Sequence, residues 1–248
     1  MFAIYKKELR SFFINPIGYI YVGVFLAVAA LICTFTTVGS SSYDVGNYFS
    51  IMMFALGILI PLLTMRLFAE ERKMRTEQLL LTAPVTITGM VMGKFLAALT
   101  LYGSTLLVSC INFIPIYVIA GIERGNQSYE HYHIGPVTAE LVGCLVGLFL
   151  IGAAFIALGT FISALTENQL AAAVLTISVI LVMVGIGLLN SFINLYWLRA
   201  ILSWISVYSR FGNFQNGLFD FAAVLYYLSI AFVFLFLTVR VYEKRRWS

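Results

Sequence analysis

Charge is scarce in this sequence. Asp, Glu, Lys and Arg make up 10% of its 248 residues, where a soluble domain carries about a quarter. With 61% hydrophobic residues beside that shortage, a soluble fold is excluded. The groups that enzymes need are missing too: there is no H-E-x-x-H zinc motif, no G-x-S-x-G nucleophile turn and no pair of intramembrane aspartates. A non-catalytic chain is expected. Gly89-Met90-Val91-Met92-Gly93-Lys94-Phe95 comes nearest to a phosphate loop. It is one residue short of G-x-x-x-x-G-K, has Phe95 where Ser or Thr should hold magnesium, and opens an apolar run instead of following a strand. Glu130, His131 and His133 fall short of the ligand set a metal site needs. No cofactor or metal bound by this chain is therefore expected. The three cysteines, Cys33, Cys110 and Cys144, all lie within apolar runs. There a thiol acts as a small apolar residue and implies no disulfide framework.

Long hydrophobic runs are what the sequence does have. A helix that crosses a bilayer needs about 20 predominantly apolar residues, because its backbone polar groups must all be satisfied within the segment. Six stretches meet that length: 17–38, 48–68, 95–120, 140–162, 170–192 and 221–241. The expected fold class is an all-α integral membrane protein, a single transmembrane domain over 1–248. The first run exceeds the 7–15 residue core of a cleaved signal, and Ile32 before Cys33 is not the small residue of a lipoprotein site, so a retained helix is expected. Gly143 and Gly147, with Gly152 and Gly159 beyond them, let helices approach closely.

Twelve of the fifteen Lys and Arg residues fall at the amino terminus, between Arg66 and Lys94, and in the tail from Arg240. Arg124, Arg199 and Arg210 are left for the opposite side. The positive-inside rule then puts both termini and the segment after the second span in the cytoplasm. Basic residues placed beside hydrophobic runs suit orientation and anionic lipid better than nucleic acid, despite a pI near 9.0. Phe2, Tyr5, Leu9, Phe12 and Phe13 recur near helical spacing opposite Lys6, Lys7 and Arg10, so residues 1–16 read as an interfacial amphipathic helix ending before Pro16. Such a helix serves as a membrane anchor, or as an anchor that also clasps a cytoplasmic partner.

After the second span comes a segment, 70–84, that is dense in charge up to Glu77 and apolar from Leu79 to Leu81, with Pro84 as its stop. Its residues suit a solvated connector. They equally suit a helix offering Leu80 and Leu81 to a partner's groove, with Glu70, Glu71 and Glu77 as rim contacts. This stretch resembles the coupling region of type-2 ABC transporter permeases. Glu70, Glu71, Arg72, Thr76, Glu77, Leu79, Leu80 and Pro84 match, whereas Arg75 stands where the family usually has glycine. Glycine permits a bend, so Arg75 implies a straighter helix or an added charge contact.

A second stretch leads into the last span. In the gliding-motility-type branch of that family it reads H-F-x-x-F-x-x-G-h-h-D. Phe211, Phe214, Gly217 and Asp220 match, and Arg210 replaces the histidine. Phe211, Phe214 and Leu218 share one side of a helix at three- and four-residue spacing, so an outer re-entrant hairpin broken at Gly217 is expected. The other reading is an interfacial loop anchored by Tyr196, Trp197 and Trp204. Lys6-Lys7-Glu8-Leu9-Arg10-Ser11-Phe12-Phe13 before Asn15-Pro16 also looks like the family's start, which extends the resemblance along the chain.

The resemblance implies a permease subunit of an ATP-driven exporter in a bacterial cytoplasmic membrane. Its implied partners are ABC ATPase subunits, which use ATP and Mg, a second permease that is either a copy or a paralogue, and an accessory membrane protein. Cargo is not legible, and drugs, antimicrobial peptides or ions compete with cell-envelope material. A membrane mechanotransmitter or scaffold, acting on an outer-surface partner without moving cargo, is the alternative from another class.

Overall fold

The computed structural model describes residues 1–38, 45–75, 86–126, 135–189, 197 and 206–247. Every regular element among them is helical. The first, α1 (Phe2–Ile14), stops at Asn15, whose backbone is extended at φ −81° and ψ 143°. Pro16 is the cause, because its ring disfavours helical geometry in the residue before it. The same proline then opens α2 (Pro16–Cys33) at a position where its missing N–H costs nothing. The helix widens into a π turn over Thr34–Val38. There Thr34, Thr36 and Thr37 donate their hydroxyls back to the carbonyls of Ala30, Ile32 and Cys33, a bonding mode that loosens the α ladder.

Next come α3 (Gly46–Thr64) and, after a turn over 65–68, the five-residue α4 (Ala69–Lys73). Pro61 sits in the last turn of α3 and removes one ladder bond. Helix α5 (Ile87–Ser109) begins where the Thr86 hydroxyl accepts from the Gly89 N–H at 3.3 Å, a side-chain cap of the usual kind. It passes through a 3-10 turn at Cys110–Phe113 into α6 (Ile114–Asn126), and Pro115, unable to donate to Ile111, accounts for the tightening. Then follow α7 (Thr138–Leu165), α8 (Gln169–Leu189), the short α9 (Val207–Gln215) and α10 (Phe221–Trp247).

Among the described residues, six helical stretches are long and apolar enough to cross a membrane: Pro16–Thr37, Gly46–Lys73, Ile87–Ile122, Thr138–Leu165, Gln169–Gly187 and Phe221–Arg246. The expected six-helix, all-α architecture is thus present. The third starts earlier than its apolar run suggests, at Ile87 and not Phe95, because the Thr86 cap lets the helix carry Lys94 inside it.

Helices α3 and α7 form the middle of the bundle. Their apolar windows are 61% buried, against 22–33% for the other four. Small residues on α7 set the spacing. A Cβ at Gly159 would stand 2.2 Å from the Thr64 hydroxyl of α3, and one at Gly152 would strike the Tyr102 ring of α5 at 2.2 Å. Contacts that close place neighbouring backbones within reach of one another. The Tyr102 hydroxyl then donates to the Leu148 carbonyl at 2.8 Å, so the ring's polar end is satisfied inside the bundle.

Candidate functional site

Two regions hold the residues singled out above, one at each end of the bundle. At the end where α1, α4, the start of α5 and the tail of α10 meet, the 65–68 turn is fixed by one serine. Ser163 of α7 accepts from the Phe68 and Ala69 amides at 3.2 Å each and donates to the Met65 carbonyl at 3.2 Å. A helix start leaves backbone N–H groups without intrahelical partners, and here a neighbouring helix supplies one.

Charge fixes the rest of this segment. Arg66 grips Glu70 through two bonds, at 2.8 and 2.5 Å. Glu71 pairs with Lys94 at 2.9 Å. Arg72 reaches the turn between α7 and α8, donating to the Leu165 carbonyl at 2.9 Å and pairing with Glu167 at 2.9 Å. Beside it, Arg245 of α10 donates to the Ala164 carbonyl at 2.8 Å and lies over the Tyr242 ring, which itself packs on Phe68.

Lys94 is the centre of this face. Its side chain is 1% exposed, and its ammonium has partners on several sides. It donates to Glu8 of α1 at 3.1 Å and to the Leu67 carbonyl at 2.7 Å, and it stands 5.1 Å from the Phe68 ring centre. Removing a cation this deep from water is tolerable only with such compensation. The glycines ahead of it, which mimic a phosphate loop, make room for α1: a Cβ at Gly93 would stand 3.2 Å from the Met1 carbonyl and the Ile4 side chain. A cleft of about 400 Å³ adjoins Lys94, lined by Lys7, Glu8, Ser11, Asn15, Arg66 and Glu70 among others.

Of the two readings of Arg75, the straighter helix does not hold. Arg75 adopts φ +57°, the left-handed conformation that commonly ends a helix and favours glycine. The segment therefore bends here with arginine in the glycine position, and no straighter helix results. Thr76, Glu77, Leu79, Leu80 and Pro84 lie outside the described residues, as do Glu130, His131 and His133.

At the opposite end, α9 lies on α7 and α8. The Ser206 hydroxyl caps it by accepting from the Ser209 amide at 3.0 Å. Phe211 and Phe214 are both fully buried, and their seat is the glycine pair. A Cβ at Gly147 would meet the Phe211 ring at 3.0 Å, and one at Gly143 the Phe214 carbonyl at 2.9 Å. Gly217 turns the chain at φ +69°, as expected of the break. Leu218 does not share the phenylalanine face: the helix has ended by Gln215, and Leu218 is exposed.

Polar bonds fasten this segment to its surroundings. Asn213 donates to Asp220 at 2.8 Å, and the other Asp220 oxygen accepts from the Ala222 amide at the start of α10 at 2.9 Å. Asn213, the Ala222 and Ala223 amides and the nearby Arg210 guanidinium hold the Asp220 carboxyl below the usual carboxylate range. Arg210 itself lies 4.5 Å from the Tyr226 ring centre. Gln215 donates to the Gly46 carbonyl at 3.0 Å and to the Ser50 hydroxyl, which ties α9 to the start of α3.

Glu8, Lys94, Ser163 and Gln215 fasten these two regions, a role that no motif assigns them. For Lys94 and Glu8 there was a signal: a lone cation opening an apolar run, and a lone acid in a basic helix. Ser163 and Gln215 carry no mark in the sequence.

Over residues 14–185 the chain matches the family model described as ABC-2 family transporter protein. That stretch takes in α2 through most of α8, with both Lys94 and Ser163, and stops short of α9 and α10. No curated protein matches the chain.

Proposed function

The chain belongs to the ABC-2 transporter family and is a membrane permease component of an ABC transporter, and from that premise we propose that it couples ATP hydrolysis by separate ATPase subunits to export across a bacterial cytoplasmic membrane. The observation that carries this reading is the anchorage of residues 66–75. They leave α3 and are bonded to α5, α7 and the α7–α8 turn, and through Lys94 to Glu8 of α1, before the chain enters Thr76–Pro84. A partner pushing on Glu77, Leu79 and Leu80 would act on four elements through that foot.

In this reading Glu70 and Glu71 shape the foot by pairing with Arg66 and Lys94, while Glu77, Leu79 and Leu80 provide the contact with the ATPase. A second permease, a copy or a paralogue, completes the pathway, and an accessory membrane protein joins it. Phe211, Phe214, Gly217 and Asp220 support a place in the gliding-motility-type branch. The basic residues support cytoplasmic termini.

The test is co-purification of the full chain with its ATPase after Glu77→Ala or Leu80→Ala. Loss of the ATPase with the permease still folded is the expected result. Retained assembly together with retained ATP-dependent activity would overturn the coupling assignment. Reconstituted vesicles address export directly, and ATP hydrolysis with no movement of material would point to mechanical transmission.

A further inference from the structure

We propose that Lys94 is a positioning residue for energy coupling, a joint that makes α1, α4 and α5 move as one body when the docking segment is displaced. This rests on the reading of Glu70–Pro84 as that segment. Three observations lead to it.

First, the node spans elements that are far apart in sequence. Lys94 holds Glu8 of α1 and Glu71 of α4 at 3.1 and 2.9 Å, and the Leu67 carbonyl between α3 and α4 at 2.7 Å. A single ammonium has three N–H donors, and these three acceptors employ them all. Second, the node is shielded. The Lys94 side chain is 1% exposed, and the side chains of Glu8 and Glu71 are 13% and 18% exposed. Water competes poorly there, so the attraction between the charges is stronger than at a surface. Third, the neighbourhood is not uniformly tight. A cleft of about 400 Å³, whose wall includes Glu8, Glu71 and Lys94 themselves, lies among Ser11 and Asn15 of α1 and Arg66 and Glu70.

Close packing carries displacement and a void does not. Across this face the load from α4 to α1 therefore runs through the Glu71–Lys94–Glu8 bonds. Arg66 and Glu70, by contrast, pair only along one stretch of chain. Lys94 makes none of the contacts assigned to the ATPase. It is buried behind Glu71 and acts through it.

The experiment uses the full chain co-purified with its ATPase and reconstituted in liposomes of phosphatidylethanolamine and phosphatidylglycerol. ATP hydrolysis is measured, and spin labels at Lys6→Cys and Lys73→Cys, in a background lacking the three native cysteines, report the separation of α1 and α4 before and after trapping with ATP and vanadate. Lys94→Met should keep the ATPase bound and lower permease-dependent stimulation about tenfold, a typical coupling energy. The label separation, fixed across the cycle in the wild type, should change on trapping. Lys94→Arg, which preserves charge and donors, should restore both. Should Lys94→Met fold poorly, Lys94→Met/Glu71→Gln removes one of the stranded carboxylates and should uncouple in the same way.

Full stimulation with a fixed separation in either Met variant overturns the proposal. So does loss of the bound ATPase, which would make Lys94 a docking residue. If instead Leu80→Ala leaves assembly intact while Lys94→Met uncouples, the docking assignment fails and the joint stands.

Discussion

Arg75 stands at φ +57° two residues beyond the end of α4. An L-residue with a side chain pays about 1–2 kcal/mol to adopt that geometry, and glycine does not. Arg75→Gly should therefore stabilise the permease by up to about 1 kcal/mol, the gain being trimmed by glycine's freer unfolded chain. Arg75→Val, branched at Cβ, should destabilise it by at least about 1 kcal/mol. Thermal unfolding of the detergent-solubilised protein orders the three. Asp220 yields a prediction in pH. Its carboxyl is held low by Asn213, the α10 amides and Arg210, so the fastening of α9 to α10 is complete above the ordinary carboxylate range and is lost only as pH falls through the lowered value. The protection of amides over 207–215, taken relative to the intrinsic exchange rate at each pH, should thus hardly change between pH 7 and about pH 5, then fall in stronger acid. Asp220→Asn should exchange faster at neutral pH and lose the acid step.

At the level of elements, the seat of α9 on α7 is the contact most open to test. Gly143→Ala drives a methyl to 2.9 Å from the Phe214 carbonyl, a backbone atom that moves only with its helix. Overpacking of this kind costs about 1–3 kcal/mol. The expected outcome is faster exchange in α9 with the six spans unaffected. Gly185→Ala is the matched control, since nothing lies within 4 Å of its added methyl and a helical alanine gains about 0.5–1 kcal/mol over glycine.

These same elements show what the sequence makes visible. The spans are legible because the length of an apolar run is a local property, as are the breaks at Pro16 and Gly217. The apolar run alone starts α5 at Phe95, because Lys94 reads as an interfacial charge. Its burial depends on Glu8, which is 86 residues away, and no window of sequence reports that. The Gly143–Gly147 pair announces a close approach but not its visitor, which is the short α9. Leu218 fits the helical spacing of Phe211 and Phe214 yet lies past the point where Gly217 redirects the chain.

Across the whole molecule, the uneven distribution of cations makes orientation the testable property. A cysteine introduced at Lys73 should be protected from a membrane-impermeant thiol reagent in intact cells and labelled in inverted vesicles, and one at Phe219 should behave oppositely. The reverse pattern would overturn cytoplasmic termini. Both ends of the bundle are closed by bonds between residues distant in the chain: Lys94 with Glu8 at one end, and Phe214, whose carbonyl accepts from the Cys144 thiol at 3.6 Å, at the other.

The Glu8–Lys94 bond also dates a step in the life of the chain. Its two members are separated by 86 residues, and a ribosome adds about 5–20 residues per second, so α1 waits roughly 4–17 s after Glu8 is made before its buried partner exists. Through that interval the amino-terminal helix has α2 beside it, with the Phe13 and Tyr19 ring centres 5.9 Å apart, but not the helix on which Ile4 sits. The seat of Ile4 against Gly93 is thus a late part of the amino-terminal anchorage, made when the third span arrives.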